Sequence, residues 1–109
     1  MARKQRFLRA DFSDQFKEAY AALQVTQQNG VDKAIMALLK QQPTPGMRVK
    51  PIEPDKYYDE ARINDGDRLI HRTAEGTVSF VDVVKHDDIG TYGRAPTRAR
   101  KPPAPGDRR

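Results

Sequence analysis

The chain has 109 residues, 32% of them charged and 37% hydrophobic, with no cysteine; that length fits one domain and excludes an enzyme with a separate cofactor domain. Without cysteine there is no disulfide framework, no thiolate catalysis and no cysteine-ligated zinc or iron–sulfur centre. The formal charge is +5, and all of it sits in residues 93–109, which hold six Lys/Arg and one acid, whereas residues 1–92 carry fourteen of each sign, so the field of the body is weak.

In chain order, Met1-Ala2-Arg3-Lys4-Gln5-Arg6 is basic with no apolar signal core behind it, and no run approaches the ~18–20 apolar residues needed to cross a bilayer. A soluble, cytoplasmic protein with no membrane contact is expected. Phe7–Asp11 reads as a candidate edge strand. Ser13-Asp14 suits a helix N-cap and first turn, and Phe16, Ala19, Tyr20 and Leu23 follow at helical spacing, which predicts a first helix over about 13–28. Asn29-Gly30 is read as a break. Val31, Ala34, Ile35, Leu38 and Leu39 then predict a second helix ending before Pro43, so that the pair forms a helical hairpin.

Pro43-Thr44-Pro45-Gly46 is a loop signal, and Pro51 and Pro54 keep residues 47–56 irregular or extended. Three strands are predicted at Tyr57–Asn64, Asp67–Thr73 and Thr77–Lys85, with tight turns at Asp65-Gly66 and Glu75-Gly76. The order β-α-α-β-β-β gives an α+β domain, an N-terminal helical hairpin packed on a small antiparallel sheet. Alternation puts Arg68, Ile70 and Arg72 on one face of the middle strand, and Leu69 and His71 on the other. If the helices cover the Leu69 face, the arginines stand on an open one. Residues 93–109 contain four prolines, two glycines and no large apolar side chain, the composition of a disordered tail; the domain is therefore expected over 1–92.

No phosphate-binding Gly-rich loop, His-Glu-x-x-His pair or Gly-x-Ser-x-Gly elbow is present, and two histidines are too few for a His-rich metal site. Neither a metal nor a cofactor is expected. The informative stretches are Arg62 to His71 and Val83 to Tyr92. Arginine can neutralise a developing phosphorane, imidazole moves protons near neutral pH, and tyrosine stacks on a base. Together they suit metal-independent RNA cleavage by attack of a 2′-hydroxyl on its own phosphate.

Over residues 7–92 the chain resembles the RelE/ParE family of bacterial type II toxin–antitoxin modules. Asp67-Arg68-Leu69-Ile70-His71 is similar to the family's Tyr-Arg-Leu-hydrophobic-Tyr strand, and Val84-Lys85-His86 to Tyr92 resembles its closing signature. The resemblance implies a ribosome-dependent endoribonuclease toxin that cleaves mRNA. In it Arg68 steadies the transition-state phosphate, His86 transfers protons with Lys85 beside it, and Tyr92 stacks on or orients the nucleotide. Where the family's ribonucleases place strand lysines this chain has Asp59 and Ala61, leaving Arg62, Lys56, Lys50 and Arg48 to substitute. Arg72 joins Arg62, Lys50 and Lys56 as a candidate substrate contact. Asp87 and Asp88 follow His86 where the family commonly has basic residues.

That departure keeps two alternatives open: a ParE-like DNA gyrase inhibitor that acts by binding, and a non-toxic relative that only binds an antitoxin. In each case the implied partner is a cognate antitoxin, docking at the open face or the sheet edge over Ile70 and the Arg62 and Arg72 stems, and the free chain is expected to be a monomer. The residues also have plain structural readings. His86 reads as a surface histidine, His71 as a core residue beneath the helices, Tyr57 and Tyr58 as sheet-packing residues, and the arginines as members of cross-strand ion pairs.

Overall fold

A computed structural model describes residues 7–96. The elements are β1 (Arg9–Phe12), α1 (Asp14–Ala21), α2 (Val25–Leu39), a 3₁₀ turn (Pro45–Met47), β2 (Lys50–Pro51), β3 (Asp59–Arg62), β4 (Asp67–Ala74), β5 (Thr77–Lys85) and a 3₁₀ segment (His86–Tyr92). The sheet runs β1-β5-β4-β3-β2. The α+β architecture is as expected, with one amendment: β1 pairs with β5 in parallel, so the sheet is mixed. The chain between the two is long enough to return β1 alongside β5 in the same direction, which a two-residue hairpin cannot do.

Helix α1 starts where its cap predicts. The Ser13 hydroxyl accepts from Phe16 N at 3.0 Å and donates to Val81 O at 2.7 Å, tying the helix to β5. The break between the helices is not at Asn29-Gly30 but at Ala22–Gln24, and α2 runs straight through the glycine. Gln24 starts α2 by a reciprocal capping box with Gln27. Gly30 is tolerated because α2 passes close to the residue that follows β3: a Cβ would come within 3.0 Å of Ile63 Cγ2. A breaker in sequence is a spacer in the fold.

The core forms between the helices and one sheet face, from Phe16, Val31, Ala34 and Leu38 on one side and Ala61, Leu69, Val78, Phe80 and Val83 on the other. The rings of Phe12, Phe16 and Phe80 meet at centroid distances of 5.3–6.2 Å. His71, paired in register with Phe80 and Asp59, is buried on this face. Between Ile70 and His71 the β4–β5 register slips by one residue, so Val81 bulges out of the ladder.

The second sheet face is not open. Ile70 is fully buried, as is Ile52, outside the helix-side core, and the His86–Tyr92 segment packs on β4 and β5. Ile70 therefore has no surface to offer a partner, contrary to expectation. The folded chain also continues past residue 92. Gly93 O accepts from Asp55 N at 3.0 Å, Ala95 N donates to Asp55 Oδ2 at 2.7 Å, and Ala95 is buried. Residues 93–96 belong to the packed body, and the rest of the expected tail, 97–109, lies outside the described residues. No helix among the described residues is long and apolar enough to cross a membrane.

Candidate active-site cleft

The β3–β4 turn sets the site. Asn64 Oδ1 accepts from Gly66 N and Asp67 N, both at 2.8 Å, closing an Asx-type turn. The turn fixes the hairpin register, which places Arg62 opposite Arg68 and Glu60 opposite Ile70, with Lys50 of β2 next in the Glu60 row. Lys50, Glu60, Arg62 and Arg68 thus share the face away from the helices. Two arginines side by side on adjacent strands repel, and Glu60, 8% exposed, is the neighbouring counter-charge, with Oε1 3.7 Å from Arg68 Nε. Arg68 Nη1 donates to the carbonyls of Asn64, Asp65 and Asp67, which pins the guanidinium over the turn.

The closing segment reaches the same rim from the other side. His86 N donates to Gly66 O at 2.8 Å, so the first residue after β5 is tied to the β3–β4 turn, with its side chain 61% exposed. The imidazole Nδ1 lies 3.4 Å from Asp87 Oδ1. Arg48 ends the 3₁₀ turn in a left-handed conformation, φ 45°, a cost of roughly 1–2 kcal/mol for a non-glycine residue. These residues line a polar cleft of about 130 Å³: Arg48, Lys50, Glu60, Arg62, Arg68 and His86.

Five of the nine residues singled out in the sequence meet there: Arg68, His86, Arg62, Lys50 and Arg48. The others stand elsewhere. Lys85, on the opposite sheet face, gives its ammonium to buried Asp67 at 3.2 Å. Lys56 faces Glu53 at 3.6 Å. Arg72 lies 4.1 Å above the Tyr57 ring, in an aromatic chain that continues edge-on through Tyr58 to Tyr92. Tyr92 donates its phenol to buried Asp82, which also accepts from Gln15 of α1 at 3.0 Å. Burial first, and then the Asp82 hydrogen bond, push the Tyr92 hydroxyl well above the usual tyrosine range. The phenol anchors the closing segment to the β5 bulge and is absent from the lining of the cleft.

Sequence reasoning missed Glu60 as a site residue. Its signal was alternation: on a strand, residue 60 shares a face with Arg62. Among the described residues no cluster of three or more His, Asp or Glu is placed to hold a metal ion.

No protein-family model matches the sequence, and no curated protein does. Solved structures do match. E. coli YafQ superposes with a TM-score of 0.65 at 19% identity, over 78% of this chain and 98% of YafQ. The RelBE2 toxin–antitoxin complex of Mycobacterium tuberculosis gives 0.60 at 19% identity, over 80% and 100%. The chain has the fold of the RelE-type toxins. A copper-bound mutant toxin from Helicobacter pylori shares it, with a TM-score of 0.64 at 14% identity over 74% and 97%. That shared fold embraces the helical hairpin and the mixed sheet.

Proposed function

We propose that this chain is the toxin of a type II toxin–antitoxin module and acts as a ribosome-dependent endoribonuclease on mRNA, restrained by a cognate antitoxin. One observation carries the chemistry: Arg48, Lys50, Arg62 and Arg68 surround Glu60 and the exposed imidazole of His86 in a single cleft. The likeness to YafQ and RelBE2 supports the toxin reading.

In the cleft a phosphodiester sits among the cations, with Arg68 prearranged by its turn carbonyls to meet charge that develops on the equatorial oxygens. Glu60 takes the 2′-hydroxyl proton as the O2′–P bond forms. His86 delivers a proton to the 5′-oxygen as the P–O5′ bond breaks, leaving a 2′,3′-cyclic phosphate and a 5′-hydroxyl. Tyr92 acts by holding the His86 segment, and Lys85 by holding the β4–β5 end through Asp67.

The deciding experiment is induced expression of the wild type and of His86→Ala and Arg68→Ala, followed by growth and transcript integrity. The wild type is expected to arrest growth and cleave mRNA, with each variant losing at least tenfold. Undiminished arrest and cleavage in both variants would overturn the assignment.

A further inference from the structure

The two edges of the sheet are built differently. At one edge β2 is two residues long and includes Pro51, which has no N–H to offer a neighbour. At the other edge β1 runs from Arg9 to Phe12 with no proline and no break in register, and all four residues are exposed. Arg9 N donates to Gly76 O and Ser13 N to Phe80 O, so the odd-numbered residues bond β5 and the N–H and C=O groups of Ala10 and Phe12 point outward. Leu8 N, on that same outward side, is already taken by Leu39 O at the end of α2. The Phe12 ring stacks on Phe80, which puts Phe12 and Ala10 on the helix side of the sheet and the Arg9 and Asp11 side chains on the other. Neither of those two charged side chains has an ion pair or a hydrogen bond among the described residues.

We infer that the β1 edge docks a second copy of this chain, the two β1 strands pairing antiparallel about a two-fold axis at Ala10 and joining both sheets into one. Charge decides the occupant, because the strand is its own complement. With Ala10 facing Ala10, Arg9 of each copy lies opposite Asp11 of the other, and Phe12 lies opposite Leu8. The outward Ala10 groups of the two copies then bond each other, Phe12 N–H donates to the second copy's Leu8 C=O, and the bond from Leu8 N to α2 is kept. A two-fold axis at Asp11 would use the same outward groups but set two carboxylates face to face, which is destabilising. An axis perpendicular to the sheet brings both helical layers to one side of the joint. On that side Phe12 and Met36, 37% and 44% exposed, border an apolar hollow of about 370 Å³, and pairing gives the Phe12 ring apolar cover from the second copy's Leu8. No net charge over residues 1–92 opposes the approach. The clefts at β3 and β4, toward the other end of each sheet, stay clear of the joint. The inference is independent of the nuclease reading, and it replaces the monomer expected for the free chain with a dimer that carries two clefts.

The test is sedimentation equilibrium of the full chain across the micromolar range, with amide hydrogen exchange followed residue by residue. The wild type is expected to dimerise, and the Ala10 and Phe12 amides to gain protection as concentration rises. Asp11→Arg sets like charges opposite one another twice in each dimer and is expected to weaken association at least tenfold. The double variant Arg9→Asp, Asp11→Arg exchanges the signs, restores the pairing and should return association close to the wild-type level. Ala10→Pro removes the central N–H at a position that donates nothing to β5, and should leave a folded monomer. Asp88→Arg makes the same charge reversal at an exposed position of the His86–Tyr92 segment and is the control, expected to dimerise as the wild type does. A wild type that stays monomeric throughout overturns the proposal. So does a dimer that Ala10→Pro and Asp11→Arg leave intact, since its contact lies elsewhere. A double variant as weak as Asp11→Arg overturns the pairing about Ala10, and that comparison decides the matter even if Ala10→Pro fails to fold.

Discussion

His71 concentrates the tension between packing and polarity at the level of a single side chain. It is 2% exposed, neither ring nitrogen has a hydrogen-bond partner among the described residues, and burial pulls its pKa from 6.5 down to about 4. The folded state therefore favours the neutral ring. Its stability contribution is complete above pH 6.5, falls as the pH drops from 6.5 toward 4 while the unfolded chain takes up the proton, and is lost below. At about 1.4 kcal/mol per pH unit, that loss amounts to about 3 kcal/mol. His71→Leu is expected to flatten the pH dependence of urea unfolding over this interval and to raise stability at pH 7 by about 1 kcal/mol, because it removes two orphaned polar atoms. A variant with the wild-type acid profile would assign the transition to another group. Glu60 makes a different demand on its surroundings, since it is a nearly buried carboxylate tolerated for its cationic neighbours. Glu60→Gln keeps the shape and removes the proposed base, and on that proposal is expected to lower mRNA cleavage about 100-fold in single-turnover assays with little effect on folding.

Among the elements, two junctions hold the site in place. The first is the α1 N-terminus, where Ser13 caps the helix and also bonds the bulged residue Val81. Ser13→Ala should cost about 1–2 kcal/mol in denaturant unfolding, since it removes both the cap and the tie to β5. A change under a few tenths would show that the cap is dispensable. The second junction is Gly93, which follows the His86 segment. A Cβ there would lie 2.6 Å from Glu53 O, and the contact is with backbone, which cannot swing aside. Gly93→Ala is expected to displace the segment and to lower both thermal stability and cleavage. Retention of full activity would separate His86 placement from this contact.

Across the whole molecule, charge is distributed in two ways that have separate consequences. The body carries no net charge over residues 1–92, yet the fold gathers Arg48, Lys50, Arg62 and Arg68 around one cleft. Three to four phosphate contacts give a slope of log K against log salt of about −2 to −3 for single-stranded RNA. Fluorescence anisotropy of the chain truncated after Pro96 should return that slope, and a slope near zero would count against the cleft as an RNA site. Acid acts on the molecule through Asp67 as well as His71. Burial alone would raise the Asp67 pKa, but hydrogen bonds from Gln27, Asn64 and Lys85 hold it below the usual carboxylate range. Its contribution is therefore present above the unfolded value and lost as the pH falls through the folded one. The two groups fail in the same direction, and stability should decline on the acid side of pH 6.5.

The amino-acid sequence by itself determined whatever depends on neighbours along the chain: the Ser13 cap, the alternation of β4, the turns at Asp65-Gly66 and Glu75-Gly76, the cysteine-free composition and the charge-neutral body. The Arg68 and His86 signatures were legible for the same reason, because each lies inside one local element. Tertiary structure alone decided that Gly30 continues a helix, since only the approach of Ile63 gives a missing Cβ its use. It alone turned Lys85 toward Asp67 and Tyr92 toward Asp82, and folded a second cover over Ile70. Glu60 joined the arginines only through the register of paired strands. Local propensity fixes how a segment is shaped, but which side chains share a cleft follows from strand pairing and close packing between segments far apart in sequence.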